Sequence, residues 1–133
     1  MVHALRRVAA TVAPGGQVID IRALDEKAEF LVAGRVCGVM RETDEGIEYR
    51  QAEAALREAL ALGIFRLAAE HPFTFRHHAP DLAAMRAYLA DIWTDAIIDP
   101  QVARAVDEAL AEAGPAAEVV LRERGWHRVL TVG

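Results

Sequence analysis

The segment Val12-Ala13-Pro14-Gly15-Gly16-Gln17-Val18-Ile19-Asp20-Ile21 constrains the fold more than any other part of the chain. Upstream of it, Ala4, Leu5, Val8, Ala9 and Val12 recur at helical spacing, with Arg6 and Arg7 on the other side. Pro14-Gly15-Gly16 must stop that helix, because proline cannot continue it and glycine accepts a left-handed turn. Gln17 to Ala23 follows, rich in β-branched residues, and reads as a buried strand. A helix delivered through a tight turn into a buried strand is an αβ unit and points to the α/β fold class.

Beyond Ala23 the pattern is mixed. Asp25 to Thr43 stays open between a helix, carried by Ala28, Leu31, Val32, Val36, Val39 and Met40, and a strand over Val36 to Glu42. Thr43-Asp44-Glu45-Gly46 has hairpin-turn chemistry and is expected to join Val39–Glu42 to Ile47–Arg50. Gln51 to Leu62 is dominated by alanine, leucine, glutamate and arginine and predicts a helix, stopped at Gly63. Ile64 to Phe75 predicts one or two short strands broken at Pro72. Pro80-Asp81 opens a helix with Leu82, Met85, Leu89, Ile92 and Trp93 along one face. Asp99 as N-cap and Pro100 at the first helical position open another, which ends at Gly114-Pro115. Glu118 to Glu123 and Trp126 to Val132 read as a closing hairpin turned at Arg124-Gly125.

Composition narrows the function classes. A length of 133 residues is that of one domain, and a hydrophobic fraction of 53% supplies a packed core. A net charge of −5, with both signs spread along the chain, leaves no basic stripe to neutralise phosphates, so no nucleic-acid partner is expected. Cys37 stands alone, which excludes an internal disulfide and fits a reducing, cytoplasmic setting. No apolar run approaches the roughly 20 residues of a membrane span, so no membrane partner is expected.

The order of helix, Pro-Gly-Gly turn, strand, mostly helical middle, helix and terminal antiparallel hairpin resembles the C-terminal half of class I S-adenosylmethionine-dependent methyltransferases. In that family a helix ends in a Pro-Gly-Gly turn and feeds the fifth strand, and the seventh strand runs antiparallel to the rest. The resemblance implies a partial Rossmann-like methyltransferase sheet, with Val12 to Ile21 as turn and fifth strand, Pro100 to Ala113 as last helix and Glu118 to Val132 as the final hairpin. It implies a single domain over residues 1–133, with 24–98 as the segment that covers a small-molecule substrate. The family's glycine-rich cofactor loop follows its first strand, whereas the paired glycines here, Gly15 and Gly16, precede one. The chain is therefore expected to bind no S-adenosylmethionine alone and to need a cofactor-binding half from elsewhere. An interior strand deprived of its neighbours offers an open edge, so a homo-oligomer or a partner chain is expected there. Two alternatives stand beside this: a non-catalytic binding or assembly module that oligomerises through its sheet, and an independent small α+β enzyme.

Four residues are the candidate substrate contacts. Asp20 interrupts an apolar strand and either meets a ligand at the strand's carboxyl end or makes a local contact, pairing with Arg22 or capping a neighbouring backbone group. His77 precedes a helix that carries Tyr88 and Trp93, aromatics that form either core or a substrate wall. His71, His77 and His78 form the nearest approach to a metal cluster, but adjacent strand residues point to opposite faces and no metal is expected. Glu53, Arg57 and Glu58 read as a solvated helix face with ordinary ion pairs, and no residue reads as a catalytic nucleophile.

Overall fold

A computed structural model describes residues 2–133. Along the chain it contains α1 (Val2–Thr11), β1 (Gln17–Ala23), β2 (Glu29–Val32), β3 (Arg35–Val39), β4 (Arg41–Glu42), α2 (Ile47–Ala61), β5 (Phe65–Ala79), α3 (Leu82–Ile92), β6 (Ala96–Ile97), α4 (Pro100–Ala113) and β7 (Val119–Val132). The fold is mixed α/β, and β1 with β7, β2 with β3, β2 with β7 and β4 with β6 all pair antiparallel. No helix among the described residues is long and apolar enough to cross a membrane. Two compact units divide the chain, the first made of residues 1–25, 46–73 and 124–133 and the second of 26–45 and 74–123.

In the first unit the Pro-Gly-Gly turn does what its residues require. Gly15 takes a positive φ of 75°, and Gly16 N–H donates to Ala13 O at 2.8 Å to close the turn. The chain enters β1, which runs antiparallel to β7 from Gln17 opposite Thr131 to Ala23 opposite Gly125. β5 pairs with β7 as well. His71 meets His127 and Phe73 meets Gly125, so β5 also runs antiparallel to β7, which lies between β1 and β5. Val18, Leu130 and Phe65 pack with Leu56 and Ala59 of α2 and with Leu5 and Ala9 of α1. Alternation sends Ile19 and Ile21 the other way, where they are 61% and 65% exposed.

In the second unit β2 lies between β3 and the first half of β7, with Phe30 opposite Leu121. Phe30, Val32, Val119 and Leu121 form its core with Met85 and Leu89 of α3 and Val102 and Val106 of α4. Asp81 caps α3, accepting from Ala84 N–H at 2.8 Å.

Several sequence expectations are corrected. Residues 25–43, open between helix and strand in the sequence, form β2, β3 and β4, so the segment 24–98 is not mostly helical. Thr43 to Gly46 does turn, with positive φ at Glu45 and Gly46, but it opens α2 at Ile47 instead of a second strand. Pro72 does not break β5. Among the described residues that strand pairs only with β7, and a residue without an N–H is tolerated where the other edge is free. The terminal hairpin is absent: β7 is one strand. Gly125 is extended within it, and a Cβ there would meet the Phe73 ring at 2.6 Å, so this glycine serves close packing and not a turn. Asp99 precedes α4 as expected, but its carboxylate makes no cap bond and takes two bonds from Arg41, at 2.8 and 2.7 Å.

Candidate functional site

The most concentrated chemistry of the first unit lies on the sheet face that α2 covers. Alternation along β1 and β7 points Asp20, Arg22, Trp126 and Arg128 to that face, with Asp20 opposite Arg128 and Arg22 opposite Trp126. Arg128 is 6% exposed. It donates from Nε to Glu70 at 2.6 Å and from Nη1 and Nη2 to Glu53 at 2.8 and 3.2 Å. Burial works against the charge on Arg128, but the bonds to Glu53 and Glu70 outweigh it and hold the guanidinium above its ordinary value. Burial would likewise raise the Glu53 carboxyl. The bond from Arg128, backed by the charges of Arg128, Arg22 and Arg57, instead holds it below the usual carboxylate range.

Arg22 and Asp20 complete the network unevenly. Arg22 donates from both Nε and Nη2 to a single oxygen, Asp20 Oδ1, at 3.0 and 2.8 Å. Asp20 Oδ2 and Arg22 Nη1 are buried with no hydrogen-bond partner, although Arg128 Nη1 stands 3.8 Å from Oδ2. An unmade bond of this kind costs about 1–3 kcal/mol per buried group.

Beside the network a groove of about 470 Å³ opens at the carboxyl end of β1. Arg22 to Asp25 form one side, Tyr49, Arg50, Glu53, Ala54 and Arg57 from the first turns of α2 another, and Trp126 of β7 closes it. This is the size of a small-ligand site. Arg50 pairs with Asp25 at 3.1 Å, both exposed, and the exposed Arg57 reaches the half-buried Glu53 at 3.6 Å. Trp126 carries the Arg128 guanidinium 5.7 Å from its ring centre.

The second unit holds the other candidates. His77 stacks on Tyr88 with ring centroids 3.4 Å apart and planes 8° from parallel. Trp93 ends α3 and packs, partly buried, against the core of that unit. The structure thus brings His77 and Tyr88 together. It makes Trp93 a packing residue and leaves Asp20 in the first unit, paired with Arg22. His78 bonds Glu118 at 3.1 Å, and His71 faces His127 in the first unit, so the three histidines go to three different partners.

Glu42, Asp44 and Asp95, a group the sequence reading did not assemble, bring carboxylate oxygens within 4.8 Å of one another. Burial, and after it the charge of Glu42, push the nearby Glu123 carboxyl from 4.5 to about 7. Its folded value lies above its unfolded one, so the stability it lends is whole below pH ~4.5 and is lost as pH rises through ~7. Glu123→Gln is expected to abolish that loss, raising stability near pH ~8 by about 1–2 kcal/mol, less than the full shift implies because the group is only partly buried. Urea unfolding of the variant and the parent below and above that window checks it.

No protein-family model, no curated protein and no solved structure matches the chain.

Proposed function

We propose that the chain is the substrate-side half of a class I S-adenosylmethionine-dependent methyltransferase, completed by a cofactor-binding half on another segment or chain. One observation carries the reading: a helix ends in Pro-Gly-Gly and feeds a strand that pairs antiparallel, over its whole length, with the last strand of the chain. This is the relation of fifth to seventh strand in that family. In this reading β5 takes the sixth-strand position, because it flanks β7 on the other side. The groove at the carboxyl end of β1 is then the substrate pocket. Methyl transfer proceeds largely by holding two reactants in line, which needs shape and orientation more than a catalytic dyad.

The missing half explains two features of β1 at once. Among the described residues the strand pairs with β7 alone, and its outward face carries exposed Ile19 and Ile21. A strand open at one edge and apolar on one face tends to take a partner. The isolated chain is therefore expected to self-associate at tens of micromolar in sedimentation velocity, and Ile21→Lys to shift it toward monomer without lowering its urea midpoint. A clean monomer for the parent counts against the open edge. The DNA immediately upstream of the Met1 codon gives the test of the function itself. An in-frame or adjacent coding stretch with a strand, a glycine-rich loop and a helix is expected, and its absence favours the alternative of a non-catalytic assembly module.

A further inference from the structure

We propose that the groove at the carboxyl end of β1 binds a small molecule that joins an aromatic ring to a carboxylate, with Arg22 as the anchor of the anion and Trp126 as the wall for the ring. The inference deepens the substrate-side reading, on which the ligand's role as methyl acceptor rests, while the binding itself rests on the groove. Three guanidinium groups, Arg22, Arg50 and Arg57, line it with the carboxylates of Asp25 and Glu53, and Asp20 behind Arg22 balances the third charge, so an anion is drawn by guanidinium donors and not by net charge. The three are not equally committed. The Arg50 and Arg57 guanidiniums are themselves exposed, and ion pairs made by exposed groups contribute little. Arg22 is held firmly by Asp20 yet spends two nitrogens on one oxygen, so Nη1 is left buried without an acceptor. A carboxylate that enters the groove supplies the missing acceptor once the Arg22 side chain, 18% exposed on the groove wall, turns Nη1 out to meet it. The planar fork of a guanidinium suits a carboxylate.

The ring requirement comes from the opposite strand. Trp126 stands directly across from Arg22 in the β1–β7 register, and the Arg128 guanidinium keeps company with its ring. Tyr49 adds a second aromatic, and Ala23, Leu24 and Ala54 supply apolar lining. An aromatic acid spans from the anion site at Arg22 to the indole, and a bare anion uses only the first.

Benzoate is the probe, read through the Trp126 indole N–H resonance of the full chain, which Trp93→Phe assigns by elimination. Saturable movement of that resonance at millimolar benzoate is expected, with benzamide at least tenfold weaker because it lacks the charge. Arg22→Gln is expected to weaken benzoate at least tenfold. Because it also strands Asp20, the exposed Arg57→Gln serves as a fold-neutral second variant, with a loss of about threefold. Absence of a saturable response overturns the proposal. Equal binding of benzamide overturns it too, since the site is then apolar only, as does equal competition by inorganic phosphate, since the ring then contributes nothing. A chain that binds benzoate but never gains S-adenosylmethionine binding with an upstream half keeps this site and loses the methyltransferase reading.

Discussion

Arg128→Met is expected to destabilise the first unit by about 3–5 kcal/mol, a large part of what holds a small domain together. The reason is what it leaves behind. Arg128 is the common donor to Glu53 and Glu70 beneath α2, and methionine fills its volume without answering either charge. The pH dependence separates this from a packing defect. In the parent, the depressed Glu53 carboxyl lends stability that is present above pH ~4.5 and lost as pH falls through its folded value. In Arg128→Met the stranded carboxylate favours its proton, so mild acid restores stability where it weakens the parent. Adding Glu53→Gln and Glu70→Gln to Arg128→Met is expected to recover most of the loss, because a buried charged set often exchanges for a neutral one at little cost. Urea unfolding read through Trp126 measures all three.

Phe30→Ala is expected to cost the second unit about 3–5 kcal/mol, through lost burial and the cavity left behind. Phe30 is 0% exposed and lies opposite Leu121 at the centre of that unit's core. Its strand is fixed on both sides, by β3 and by β7, so the backbone has little freedom to close the gap. Trp93 is the reporter, packed against the same core. Phe30→Leu retains most of the volume and should cost less than half as much.

What could be read in the sequence divides along physical lines. α1, the Pro-Gly-Gly turn, α3, α4 and the existence of β1, though not its burial, were legible because local chemistry dictates them: helical spacing, a proline and two glycines, Asp81 before an apolar helix face. The β2–β3 hairpin was not, because four- and five-residue strands give too few residues to separate a period of 2 from one of 3.6. Gly125 misled for a different reason. A glycine reads as a turn unless one knows that a ring from another strand needs its space, and Phe73 is distant in sequence. Pro72 misled likewise, since only the pairing partners reveal that β5 has a free edge.

The site was legible in one residue and its neighbour. Asp20 stood out as a charge in an apolar strand, and its pairing with Arg22 was one of the two readings open to it. Glu53 looked like part of a solvated helix face. Nothing within α2 says that Arg128, 75 positions away, reaches it. One signal was present: Asp20 and Arg22 on β1 and Arg128 on β7 occupy alternate strand positions, which puts these three charges on one face. Inward-facing charges of opposite sign must find each other, and a basic and an acidic set on separate strands predicts a buried network.

We propose that this chain supplies the substrate side of a methyltransferase and not its cofactor site. The most direct measurement is calorimetric titration of S-adenosylmethionine into the chain alone and into the chain co-expressed with the coding stretch upstream of Met1. Heat that saturates at micromolar cofactor only in the assembled form is the expected result. Saturable binding to the chain alone, or none to the assembly, would contradict it.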